Sequence, residues 1–179
     1  MTITRERLVE LLKYDEGTGD FFWLENRKKN PYSGMKAGTI YKSKHNPGTG
    51  YIAIIIDGRR YLAHRLAWLW VYGYVPDFDI DHDNGDGLNN RIGNLRECTV
   101  SQNHMNRCRL GKNNKSGFKG VAYVENGKWH WYIANITLSG KTKYLGLFKD
   151  AKQAALAYDV AATAAYGSFA KTNAMLGLI

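Results

Sequence analysis

The sequence predicts an α+β chain, and three observations predict it. Leu8, Val9, Leu11 and Leu12 form an apolar stripe at helical spacing near the N-terminus. Short β-like runs follow, two of them separated by Asp57-Gly58, a strong hairpin signal. The last third reads as three more such runs and then one alanine-rich helical run.

In chain order, the first helix is expected from Arg5 to Leu12, stopping at the turn Tyr14-Asp15-Glu16-Gly17. Extended runs follow at Phe21–Leu24, Thr39–Tyr41, Tyr51–Ile56 and Tyr61–Ala63, and the stretch from Arg27 to Lys36 is basic and turn-rich, an exposed loop. A second helix is expected from about His64 to Tyr72, ending at Gly73 with Pro76 beyond. The segment FDIDHDNGDGLNNRIGNLRECTVSQNHMNR is dense in Asp and Asn, with a short helix after Thr99 or Ser101, either of which can cap it. Residues 108–115 are polar and rich in breakers, and the linker is expected there, between domains over 1–110 and 116–173. Strands are then expected at roughly Phe118–Val124, Lys128–Thr137 and Thr142–Phe148. The last helix runs from an Asp150 N-cap to about Tyr166, with Gly167 at its stop.

At 179 residues the chain has room for one domain or two small ones. No run of eighteen apolar residues occurs, so no membrane span is expected, and the N-terminus lacks the apolar core of a signal peptide. The two cysteines, Cys98 and Cys108, are too few for a disulfide framework or a four-cysteine zinc site; unpaired thiols in a reducing cytoplasm are expected. The net charge is +9, unevenly spread: residues 1–110 hold 16 Lys+Arg against 13 Asp+Glu, residues 111–179 hold 9 against 3. Such a surplus suits a polyanionic partner, most commonly nucleic acid.

Asp81, His82, Asn94 and Asn103 stand out chemically. Cutting a phosphodiester needs a base to deprotonate water and a cation to meet the charge developing on phosphate. Histidine titrates near neutrality, and carboxylate and carboxamide oxygens suit Mg²⁺ or Mn²⁺. Two plainer readings compete: Asx-rich loops are often turns that bond their own backbone, and a histidine among aspartates can be a solvated surface group. A calcium loop does not fit. Asp79, Asp81 and Asp83 fall on its positions one, three and five, but Asn84 and Asn90 stand where Gly and Glu are needed.

The segment HRLAWLW…DIDHDNGDGLNNRIGNLRECTVSQNHMNR, over about residues 60–107, resembles the HNH endonucleases of phages and mobile introns. The Asp-His pair, Asn-Asn-Arg, Asn-Leu-Arg and the final Gln-Asn stand at that family's spacing. The resemblance implies an HNH ββα-metal core, here with an N-terminal α/β region. It makes His82 the general base, gives Asp81 and Asn103 one Mg²⁺ or Mn²⁺ ion to hold, and has Asn94 brace the hairpin and orient the histidine. Asn103 takes the third letter of the motif; His104 is adjacent, but neighbouring helix residues point about 100° apart. Arg65 has two roles open to it, a phosphate contact or a structural tie at the helix start.

Farther on, Ser116-Gly117-Phe118-Lys119-Gly120-Val121, Gly127-Lys128-Trp129, Tyr144-Leu145-Gly146, Ala154-Ala155 and Ala157-Tyr158-Asp159 resemble the AP2 domain across residues 116–173. That likeness implies a three-stranded antiparallel sheet lying in the DNA major groove, with one helix packed behind it. By alternation, Trp129, Trp131 and Ile133 share one face, expected to be core, and His130, Tyr132 and Ala134 the other. The DNA face is then expected to offer Lys119, His130, Tyr132, Thr142 and Tyr144, with Lys128, Lys141 and Lys143 nearby. Plant members carry arginines and a tryptophan where this chain has Ala122, Val124, Asn126, Ala134 and Thr142.

Together these likenesses imply a metal-dependent, homing-type DNA endonuclease acting on double-stranded DNA as a monomer that nicks one strand first. Its setting would be the cytoplasm of a bacterial host, were it phage-encoded. The alternative is a non-catalytic AP2-like DNA-binding regulator, which has no need of Asp81, His82 and Asn103 together.

Overall fold

A computed structural model describes residues 3–24, 31–43 and 46–179, with backbone alone at 43 and 46–49. The chain divides into two compact units, residues 1–98 and 99–179. Among the described residues, several small antiparallel sheets and four α-helices make up a fold compatible with the α+β class. Among the described residues, no helix is long and apolar enough to cross a membrane.

In the first unit, α1 (Arg5–Leu11) starts at Thr4, whose hydroxyl accepts the Arg7 N–H at 3.2 Å. The expected turn after it begins later than the sequence suggests. Residues Leu12–Asp15 form strand β1, paired antiparallel with β2 (Asp20–Trp23). Strands β3 (Thr39–Ser43), β4 (Asn46–Ile56) and β5 (Arg59–Leu62) form a second sheet in that order. Asp57 and Gly58 both sit at positive φ, 48° and 76°, as a two-residue hairpin with the right-handed twist of its strands demands. The Arg7 guanidinium grips the Asp57 carboxylate with two 2.9 Å bonds, tying α1 to that turn. Helix α2 (Ala63–Tyr72) ends on Gly73 in the left-handed region, and β6 (Asp79–His82) pairs with β7 (Leu95–Cys98). Leu8, Leu12, Phe21, Ile54, Leu66 and Ile80 are buried together in one core, each contributing about 1.5–3 kcal/mol. Of the expected basic loop, residues 27–30 lie outside the described residues; 31–34 are turn.

The second unit opens with α3 (Val100–Met105), capped by Thr99 and Gln102 in a reciprocal capping box. Strands β8 (Val121–Asn126), β9 (Trp129–Leu138) and β10 (Lys141–Phe148) form an antiparallel sheet ordered β10-β9-β8, and α4 (Ala151–Tyr166) packs on it. Asp150 caps α4, accepting the Gln153 N–H at 2.9 Å.

Two expectations change here. The first is the linker at 108–115, because α3 belongs with the C-terminal unit. The Lys119 ammonium donates to the carbonyls of Met105, Arg107 and Lys171, the Lys171 N–H donates to Met105, and the Tyr158 hydroxyl lies 3.8 Å from the Met105 sulfur. The second is the facing of β9. Ala134 and Ile136 are buried against α4 and Tyr132 packs with them, whereas Trp129 is 69% exposed. Ala154, Ala155 and Ala162 bring α4 close to the sheet, and at that separation Ala134 fits where an indole does not.

Candidate active site

The first unit assembles Asp81, His82 and their neighbours from β6, β7 and the loop between them. Asp81 lies directly across the ladder from Arg96, and His82 across from Leu95. Both acid and histidine are buried, at 6% and 5% exposure. Arg96 donates to Asp81 Oδ2 from Nε at 3.1 Å, places Nη2 3.0 Å from the same oxygen, and reaches Asp83 Oδ1 with Nη1 at 2.6 Å. These charge-assisted contacts hold Oδ2 of the Asp81 carboxylate.

His82 Nε2 lies 3.2 Å from Asn90 Oδ1. The Asn90 amide nitrogen donates to the Leu88 carbonyl at 3.2 Å, so the amide oxygen faces the ring and must accept from it. The Nε2–H tautomer follows, and Nδ1 carries the lone pair that a general base uses. Burial pushes the His82 pKa below its ordinary value, partly opposed by the Asn90 bond and the charges of Asp81 and Asp86. The ring is therefore neutral, and basic, near pH 7.

The role expected of Asn94 is divided between two residues. Asn94 accepts the Asn84 N–H at 3.1 Å and donates to Asn84 Oδ1 and the Asn89 carbonyl at 3.1 and 2.8 Å, which ties the loop. Asn90 is what holds the histidine. The turn reading of this Asx-rich loop was thus correct for Asn84, Asp86 and Asn94.

The N-terminal elements hold Asn90 in turn. Tyr14 donates its hydroxyl to the Asn90 carbonyl at 2.8 Å, and Arg91 Nε donates to the Gly17 carbonyl. Gly19, at φ 79°, lies against this segment; a Cβ there would come within 2.4 Å of the Arg91 nitrogen.

His64, at the start of α2, was read from sequence only as a helix-start residue. Its ring meets that of His82 edge-on, centroids 5.0 Å apart, and Tyr51 lies 5.7 and 6.0 Å from the two. His64 is buried, its Nδ1 meets no protein partner, and burial followed by the neighbouring His82 drives its pKa down to about 3. It is a neutral wedge against the face of the base. Arg65 donates to the Pro76 carbonyl at 3.0 Å.

Asn103 lies half-buried on α3 in the second unit, beside the exposed His104. Of the residues expected on a DNA face there, Lys128, His130, Lys141, Thr142, Lys143 and Tyr144 are exposed. Lys119 is not available, because its ammonium is turned onto three carbonyls and burial lowers its pKa to about 8. Tyr132 packs on the helix side of the sheet, its ring 5.6 Å from that of Tyr123. Sequence reasoning gave no site role to Asn90, Arg96 or His64. Each had a readable signal, Asn90 as the middle of Asn89-Asn90-Arg91, Arg96 as the third residue of Asn94-Leu95-Arg96, and His64 as the first residue of HRLAWLW.

Residues 61–105 match the family model described as HNH endonuclease. An uncharacterised HNH endonuclease of Acanthamoeba polyphaga mimivirus is 27% identical over 172 residues, covering 89% of this chain and 88% of the relative.

Proposed function

From the HNH endonuclease domain in residues 61–105, we propose that this chain is a metal-dependent DNA endonuclease whose general base is His82. The observation that carries the reading is the buried His82, its Nε2 bonded to Asn90 so that Nδ1 is the basic nitrogen, next to a carboxylate held by Arg96.

The donor chemistry fits a hard divalent cation. By the HNH likeness Asp81 would supply a carboxylate and Asn103 a carboxamide oxygen, and Mg²⁺ or Mn²⁺ commonly takes one or two such ligands with water and substrate phosphate. Among the described residues no group of three His, Cys, Asp and Glu is placed to hold a metal ion, and a cation of this kind needs no such cage. Held by such ligands, the ion would supply positive charge against the phosphate and the departing oxygen.

The protein's own groups do the rest. His82 Nδ1 removes a proton from the attacking water, while Asn90 keeps the opposite nitrogen protonated and the ring in plane. His64 and Tyr51 back the ring and exclude bulk water from that side. Arg96 holds the Asp81 carboxylate in place. The C-terminal unit, AP2-like in its sequence, supplies DNA affinity through its basic sheet and places the nuclease at its site. One active centre per chain favours a monomer that cuts one strand at a time, in a reducing cytoplasm where Cys98 and Cys108 stay as thiols.

Incubation of the full chain with supercoiled plasmid and Mg²⁺ or Mn²⁺ tests the reading. His82→Ala should slow cleavage by roughly 10²- to 10⁴-fold and leave DNA affinity intact. Near-normal cleavage by that variant removes His82 from the role. Binding without cleavage by the wild type under either metal makes the chain a regulator.

A further inference from the structure

We infer that the face of the β8–β10 sheet turned away from α4 reads A·T-rich DNA in the major groove. This rests on the reading of the C-terminal unit as the DNA-binding module. The corrected facing of β9 identifies the surface. Ala134 and Ile136 point into the helix, so Trp129, Trp131, Ile133 and Asn135 point out. Across the ladder, Thr142 pairs with Thr137, their hydroxyls 3.4 Å apart, Tyr144 pairs with Asn135, and Val124 pairs with Trp131. Trp129 and Tyr144 are 69% and 60% exposed.

The surroundings select a polyanion. Lys128 and Lys149 are exposed beside this face, Lys141 and Lys143 are exposed on the other side of the edge strand β10, opposite Leu138 and Ile136, and residues 111–179 hold 9 Lys against 3 acidic residues. A twisted antiparallel ribbon is also the right width for the major groove of duplex DNA.

The chemistry of the face then selects the bases. Guanine is read by a bidentate cation and cytosine by a carboxylate. No arginine occurs after Arg109. The lysine over this face, Lys149, lies 5.6 Å from the centre of the Trp131 ring, and the outward positions carry no Asp or Glu. What the face presents is two carboxamides, Asn135 at its centre and Asn126 at the end of β8, and a row of methyl and aromatic groups from Val124, Ile133, Thr142 and Tyr144. Adenine is read by a carboxamide and thymine by contact with its methyl group.

Fluorescence anisotropy with the full chain, in EDTA so that nothing is cut, tests this on three short duplexes: A·T, G·C, and the A·T sequence with uracil replacing thymine. The A·T duplex should bind about tenfold more tightly than G·C, and uracil should erase severalfold of that gain. Asn135→Ala, with its melting temperature checked, should shrink the preference while sparing affinity for G·C. Equal wild-type affinity for A·T and G·C overturns the inference. So does an A·T preference that ignores both uracil and Asn135→Ala, because groove width and not base edges is then being read. The module reading itself fails separately, if Trp129→Ala, Tyr144→Ala and Lys141→Ala/Lys143→Ala leave affinity for all three duplexes unchanged.

Discussion

Replacing Asn90 tests the proposed base through a residue that itself touches no substrate. Its side chain is 1% exposed and makes two bonds, one to His82 Nε2 and one to the Leu88 carbonyl. Asn90→Ala takes a partner from each, which costs roughly 2–4 kcal/mol of stability. It also releases the tautomer lock, so cleavage should fall by about tenfold, within the roughly 10²- to 10⁴-fold ceiling set by losing the base altogether. Asn90→Asp is the sharper experiment. In the wild type, burial holds the His82 pKa below 6.5, so the acid limb of the rate profile lies below that pH. A carboxylate 3.2 Å from Nε2 favours the imidazolium and raises that pKa by about 1–3 units. Because the reaction needs neutral imidazole, the acid limb must move to higher pH. Stability moves with the opposite sign: the wild-type histidine costs stability as pH falls below 6.5, whereas the variant's imidazolium–carboxylate pair stabilises the acid side and is lost as pH rises through the new pKa. Single-turnover plasmid cleavage across pH, with circular dichroism to confirm folding, measures both. An acid limb that overlays the wild type in a folded Asn90→Asp protein refutes the assignment of His82 and of its tautomer.

Other consequences are open to test. Because His64 falls from an unfolded value of 6.5 to about 3 in the folded chain, stability should drop by about 1.4 kcal/mol for each pH unit below 6.5 that this group governs; urea unfolding at neutral and mildly acidic pH should show that slope, and His64→Phe should flatten it. Gly19→Ala, forced against Arg91 from a left-handed backbone, should cost about 2 kcal/mol or more and lower the cleavage rate in the same variant, whereas a normal rate would show that this turn does not hold Asn90 in place. With limiting enzyme, supercoiled plasmid should pass through the open circle before any linear form; direct linearisation together with a dimer mass in solution would refute the monomeric nicking reading.

Local rules carried a good part of the fold. Asp57-Gly58 is a turn because both residues accept positive φ, Gly73 ends α2 for the same reason, and Asp150 caps α4 with its own side chain. The alternation on β9 was also read correctly as a period of two, but its phase was not. WHWYIA places large rings on both sides, and bulk was allowed to choose the core. The small-residue stripe on α4, already visible, should have chosen Ala134 instead, since close approach rewards small partners. Asp81 and His82 stand out in the sequence because an adjacent acid and imidazole carry unusual chemistry, and both are buried at the end of β6. The role of Asn90 was not legible, because an asparagine in an irregular segment finds its partners through tertiary folding, here His82 for its side chain and Tyr14 of β1 for its carbonyl.

The junction between the two units falls at 98/99, inside the stretch that matches the nuclease family, and this bears on how such a chain can be rebuilt. A splice at the polar segment 108–115 would look harmless by composition. It would separate Lys119 from the carbonyls of Met105 and Arg107, leaving a half-buried cation with two acceptors gone on one fragment and a helix with nothing to hold its end on the other. Hybrids joined there should express poorly, whereas hybrids joined before Thr99 keep every one of those bonds. A replacement for the β8–β10 sheet must therefore arrive with its own copy of α3. The stretch that matches the nuclease family runs past the division between the units, so the two are not independent cassettes.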